Sequence, residues 1–154
     1  MTVRPGATPV HRIRRIGGSH TYLPYPSNRA LTIMQAATST IHGYHAHVYF
    51  GADSVAAARA VCEAAAQQFP LKMGRVHEKP VGPHPDWSCQ LAFKAPLFAD
   101  VIPWLALNRN GLVVFIHPIT GNDLVDHRDR AIWMGAVRPL DLSVLPETST
   151  EYDL

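Results

Sequence analysis

An α+β domain, built as one antiparallel sheet with helices on a single face, is the architecture this sequence predicts, and three observations predict it. Two-residue alternation of apolar and polar side chains marks strands at 42–50, 73–78 and 87–94, and an apolar run at 112–117 adds a fourth. Helical stretches fall between them at 55–69 and 100–108. The resulting order, strand, helix, strand, strand, helix, strand, is that of the ferredoxin-like βαββαβ sandwich, whose two helices cover one sheet face. The opposite face needs a different cover.

The first strand is read from His42-Gly43-Tyr44-His45-Ala46-His47-Val48-Tyr49-Phe50. Strand side chains alternate, so His45 and His47 share a face with α-carbons about 7 Å apart. Two imidazoles at that separation can share one metal ion. Ala46, Val48 and Phe50 take the other face, toward a core. Asp53 or Ser54 can then cap a helix whose first N–H groups need an acceptor. Val55, Ala58, Cys62, Ala65 and Phe69 form its apolar stripe, and Pro70 stops it. Met73 to Glu78 comes next as a strand with Arg75 and His77 on one face and Gly74 and Val76 on the other. Pro80, Pro83 and Pro85 make a rigid turn that holds His84.

Trp87 to Lys94 alternates again, setting Cys89, Leu91 and Phe93 against Ser88, Gln90 and Ala92. Asp100 to Asn108 reads as the second helix, with Pro103 in its first turn and Asn110-Gly111 as its stop. Leu112 to His117 is a buried strand ending in histidine. Pro118 and the turn-rich residues 119–123 then lead to Asp126-His127 and a short helical stretch at Ala131 to Met134. Beyond Pro139 one short extended piece is expected, and residues 143–154 read as a tail.

At 154 residues the chain suffices for one domain with a real core and is short for two. Its 47% hydrophobic and 17% charged residues place it among globular chains, and no apolar run approaches the roughly 18 residues of a membrane span. The net charge of +2 hides an asymmetry, because no acid precedes Asp53 whereas Arg4, Arg12, Arg14, Arg15 and Arg29 do. What remains is mildly acidic, nine basic residues against twelve acids. Residues 1–40 therefore read as a flexible Arg- and Pro-rich extension, with Met34 an alternative start, and residues 41–142 as the domain. The arginines lack both the interleaved aromatics of a nucleic-acid platform and the apolar segment of a signal peptide, so a cytoplasmic protein is expected. Cys62 and Cys89 are too few for a disulfide framework or a thiolate zinc site and read as small core residues.

Ordered blocks along residues 41–142 carry a family resemblance. They are His-Ala-His-Val-Tyr-Phe at 45–50, Arg75 to His77, Val-Gly-Pro-His-Pro at 81–85, Trp104 to Asn108, Ile-His-Pro at 116–118, Thr-Gly-Asn-Asp at 120–123, Asp-His at 126–127 and Trp-Met-Gly at 133–135. Together they resemble the DOPA 4,5-dioxygenase family of small aromatic-ring-opening enzymes. The resemblance implies a ferredoxin-like domain, often dimeric, that uses non-haem Fe(II) and O₂ to open a catechol beside its hydroxyls. DOPA or a related catecholic acid is the implied substrate, and a muconic semialdehyde-type compound the product.

Such extradiol chemistry needs an iron with three protein ligands on one side and open positions opposite. His45, His47 and His117 are the expected ligands, the first two by strand period and the third because the fold sets the last strand beside the first. His84, or a carboxylate of Glu78, Asp123 or Asp126, is the alternative third ligand. His127 and His84 are the candidates for moving protons, since histidine titrates near neutrality. Arg75 can receive a substrate carboxylate, Tyr49 can stack on an aromatic ring, and His42 flanks the site. Plainer roles exist for each: a solvated edge-strand charge for Arg75, a packed ring for Tyr49 and His84, a partner of Asp123 or Asp126 for His127. Two other functions compete with the dioxygenase. A metal- or aromatic-ligand-binding protein would consume no oxygen, and a cofactor-free oxygenase would survive chelation, although the density of histidines argues against it.

Overall fold

The computed structural model describes residues 40–149 and 154, so the expectation for the N-terminal extension lies outside the described residues. Strands β1 (Gly43–Phe50), β2 (Lys72–His77), β3 (Trp87–Lys94), β4 (Val113–Ile119) and β5 (Ile132–Met134) pair antiparallel in the order β2-β3-β1-β4-β5. Helix α1 (Val55–Gln68) comes after β1 and α2 (Phe98–Asn108) after β3. The expected α+β, βαββαβ arrangement is therefore present, with β5 added outside β4.

Alternation sorts the layers. Ala46, Val48 and Phe50, with Cys89, Leu91, Phe93, Val114 and Ile116, bury one sheet face against Ala58, Cys62 and Ala65 of α1 and Val101 and Leu105 of α2. Each large side chain buried there contributes roughly 1.5–3 kcal/mol. A one-residue slip of β1 would drive its histidines into this core, so burial locks the register. Helix α1 ends where Phe69, extended at φ −128° and ψ 149°, precedes Pro70.

Five local expectations are corrected. Strand β4 runs through Pro118 to Ile119 instead of stopping at His117; β5 pairs only Val114 to Ile116, so Pro118 lies where the strand has a neighbour on one side. Ala131 to Met134 is not helical. Its last three residues are β5, held by Trp133 against Phe115, and the short helix lies earlier, as α3 (Asp123–Arg128) capped by Asn122. Helix α2 begins at Phe98, after a 3-10 turn containing Pro96, which leaves Pro103 inside it. In β2 a bulge sets Gly74 and Arg75 together opposite Gln90, so Gly74 does not share the face of Val76. A β-carbon on Gly74 would lie 3.3 Å from the Gln90 carbonyl oxygen, a close approach that suits glycine. Residues Leu142–Val144 form a 3-10 turn in place of the extended piece, because the Asp141 side chain accepts from the Ser143 N–H.

Cys62 and Cys89 are buried thiols in the core, as expected. Among the described residues no helix is long and apolar enough to cross a membrane.

Candidate metal centre

The sheet face turned away from α1 and α2 carries His45, His47 and Tyr49 of β1 beside Phe115 and His117 of β4. Register pairs His45 with His117 and His47 with Phe115. Ring centroids of His45 lie 6.0 Å from His47 and 5.1 Å from His117, and those of His47 and His117 lie 5.5 Å apart. Ligand nitrogens of these three residues all fall within 4.8 Å of one another. Two more imidazoles lean over them from outside the sheet. His84, on the turn after β2, packs on His47 with centroids 3.9 Å apart, and His127 of α3 packs on His117 at 3.8 Å. The five rings line one cavity of about 210 Å³, completed by Gln90, Ile119, Asp123 and Ser149.

Burial sets the charge of this cluster. His47 and His117 are 5% and 3% exposed, and burial pushes both well below the ordinary histidine range, with neighbouring imidazoles adding to it. Burial likewise takes His84 down to about 4 and lowers His127. All four are therefore neutral at pH 7, the form that ligates a metal. The His117 Nδ1–H donates to the Pro118 carbonyl at 2.9 Å, and the His127 Nδ1–H to the Asp123 carbonyl at 2.8 Å. A carbonyl only accepts, so in both rings the lone pair is left on Nε2. Among the described residues the buried Nε2 atoms of His47 and His117 have no hydrogen-bond partner. Leaving such a group unsatisfied costs about 1–3 kcal/mol each, a penalty that ligation removes. Imidazole donors suit a first-row transition ion, so the residues fit a metal.

Two overlapping groups could hold it: His45, His47 and His117, or His47, His84 and His127. Neither contains a carboxylate. Asp126 is 1% exposed and already engaged, accepting from the Thr120 N–H at 2.8 Å, the Thr120 hydroxyl at 2.7 Å and Arg130 Nη1 at 2.8 Å. It anchors α3 and hence His127. The contact of His127 to Asp123 is to the backbone carbonyl rather than to a carboxylate.

A second cavity of about 570 Å³ adjoins the first, sharing His47, His84 and Gln90 with it. Lys72, Arg75 and His77 line its far wall, and no acidic side chain among the described residues does. Arg75, exposed on the edge strand β2, thus lines a cavity that His47 and His84 also line. His42 is exposed ahead of β1, outside the linings of both cavities. Tyr49 is buried with its hydroxyl 2.7 Å from His84 Nδ1, and burial raises its pKa, which keeps it a phenol. Phe115 carries no signal of its own in the sequence, yet it packs within 6 Å of His47, His117, His127 and Trp133. Counting back two residues from His117 places it on the histidine face. The continuous apolar run around it hides that alternation.

Comparison with known proteins supplies the family. A model of the Dopa 4,5-dioxygenase family matches residues 44–144. DOPA 4,5-dioxygenase of Amanita muscaria is 31% identical over 149 residues, covering 87% of this chain and 65% of that protein. An uncharacterized 21.2 kDa protein of Botryotinia fuckeliana is 39% identical over 97 residues, covering 57% of this chain and 53% of its own. The chain thus spans less than two thirds of the length of these curated relatives. A crystal structure from Nostoc punctiforme, of a protein provisionally assigned as a dioxygenase, superposes with a TM-score of 0.66 at 43% identity, covering 68% of this chain and 90% of that one. Since the matched residues run from the strand bearing His45 and His47 through the helix bearing His127, the chain belongs to the Dopa 4,5-dioxygenase family.

Proposed function

We propose that this protein is a non-haem Fe(II) dioxygenase that opens a catechol at an extradiol bond, acting on DOPA or a related catecholic acid. The observation that carries the reading is the trio His45, His47 and His117, three adjacent imidazoles on one sheet face, two of them with a buried Nε2 that has no partner among the described residues. Membership of the family directs that metal chemistry toward oxygen insertion, and the Amanita relative is named a DOPA 4,5-dioxygenase. When bound, ferrous iron supplies Lewis acidity toward the catechol oxygens and a redox partner for O₂. Neutral imidazoles add no negative charge, so the site favours an anionic catecholate.

The surrounding residues hold and move protons. His127, with Nδ1 donating to the Asp123 carbonyl, keeps a bare Nε2 able to take a catechol proton. His84, with Nδ1 against the Tyr49 hydroxyl, keeps Nε2–H as a hydrogen-bond donor toward the catechol, while the proton that His127 took is the one returned as the ring opens. Arg75, with Lys72 and His77 on the same wall, orients the acid group through charge-assisted hydrogen bonds.

The test is anaerobic loading with Fe(II), then O₂ and a panel of catechols. Oxygen uptake with a yellow semialdehyde product, both lost on chelation, is the expected result. Stoichiometric metal retention and thermal stabilisation by catechols without oxygen uptake would replace the enzyme with a binding protein.

A further inference from the structure

We infer that residues 141–149 form a strap that completes the substrate cavity, and that Ser149 is a specificity-determining residue in its wall. The ligand class, a catechol, rests on the function proposed above. Three backbone hydrogen bonds pin the strap. The Asp141 N–H donates to the Pro83 carbonyl at 2.9 Å, the Leu124 N–H to the Pro146 carbonyl at 3.2 Å, and the Ser149 N–H to the Gly121 carbonyl at 3.0 Å. It therefore ties the turn bearing His84 to the loop and helix bearing His127, the two imidazoles that come from outside the sheet. Its course is stiffened by the 3-10 turn Leu142–Val144, where Asp141 also accepts the Ser143 hydroxyl at 2.6 Å.

Ser149 ends this path in the lining of the 210 Å³ cavity, together with Asp123 and all five histidines. Farther on, Leu154 lies over the start of β1: a β-carbon on Gly43 would collide with Leu154 Cδ2. By alternation Gly43 shares the face of His45. The strap and Leu154 thus border the histidine face at the Pro83 turn and at the β1 end. The family match stops at residue 144, so the wall residue Ser149 lies beyond the stretch that the family model spans. Asp123 and Ser149 make this wall polar, with an acid in it, whereas Lys72, Arg75 and His77 make the adjoining cavity cationic. A ring bound at the histidines therefore meets different chemistry on its two sides. The short serine side chain sets how large a ring substituent the first side admits.

The test uses the full chain loaded with Fe(II) without oxygen, and 4-nitrocatechol as the probe. Cys62 and Cys89 are buried, so a thiol introduced by Ser149→Cys, or by Thr148→Cys at the exposed neighbour, is the one a disulfide reagent reaches. Saturating 4-nitrocatechol is expected to slow labelling of the first variant several-fold and leave the second unchanged. Ser149→Trp is expected to weaken 4-nitrocatechol binding by about tenfold, a factor equivalent to about 1.4 kcal/mol, with iron content unchanged, while Thr148→Trp has no effect. A probe that binds, by its absorbance shift, yet gives no protection overturns the strap's role, as does equal weakening by both tryptophans. Absence of any absorbance shift in the parent protein removes the catechol reading and the strap's role with it.

Discussion

His47 belongs to both histidine groups that could hold an ion, and its Nε2 is one of the two buried nitrogens without a partner among the described residues. That position makes the ligand assignment testable residue by residue. Substituting alanine for His45, His47 or His117 is expected to strip iron from the gel-filtered protein. His84→Ala and His127→Ala are expected to retain iron and lose turnover by about 10²- to 10⁴-fold, the usual worth of a positioned acid or base. Iron per chain beside O₂ uptake distinguishes the two classes, and loss of iron from His84→Ala would make His47, His84 and His127 the ligands. Arg75 tests substrate recognition. Hydrogen bonds to charged groups are worth about 1.5–3 kcal/mol, so Arg75→Ala should raise KM for a carboxylated catechol by about tenfold to a hundredfold. Catechol itself should respond little. Much of this is legible in sequence, since alternation alone puts His45, His47 and Tyr49 on one face. Alternation does not say that Tyr49 lies buried under His84, because that contact joins residues 35 positions apart.

Short elements carry what the periodic ones leave open. Helix α3 spans only Asp123–Arg128, too few residues for an apolar stripe, and β5 only Ile132–Met134. Sequence periodicity misplaces both for that reason, whereas α1 and β3 are recognised from their periods. What holds α3 is the buried Asp126, which accepts from Thr120 and pairs with Arg130. Asp126→Ala would leave the Thr120 N–H without its acceptor and Arg130 without its carboxylate, with the Thr120 hydroxyl still accepting from Arg130. Arg130 is 30% exposed and can turn to water, so the loss is that of hydrogen bonds to a charged group, about 1.5–3 kcal/mol, and the urea midpoint should fall. Iron should still bind at the sheet histidines while turnover drops, because His127 rides on this helix. Unchanged stability would mean that α3 is held by other contacts.

Across the whole molecule, the buried neutral histidines link folding to pH. His84 titrates near 4 in the fold, against about 6.5 in an unfolded chain. Below about pH 6.5 the unfolded chain takes up a proton that the fold refuses, so the metal-free protein loses stability as pH falls from there toward 4. For His84 alone the loss is about 3 kcal/mol, and His47 and His117, which burial also pushes well below the ordinary histidine range, act in the same direction. Urea midpoints of metal-free protein at pH 7.5 and pH 4.5 check this. A flat profile would contradict a neutral cluster, and His84→Gln should flatten part of the slope.

Properties that repeat every two or every three to four residues could be read before any coordinates: the strand and helix order, the core face, and a histidine face on β1. Each arises from the local geometry of the backbone acting on neighbouring side chains. Convergence is of another kind. His117 meets His45 through strand pairing, His84 arrives on a turn and His127 on α3, and Ser149 reaches the cavity on a segment whose backbone bonds run from Asp141 to Pro83 and from Ser149 to Gly121. Those contacts join distant residues whose spacing has no period, so only the folded chain brings them to one cavity.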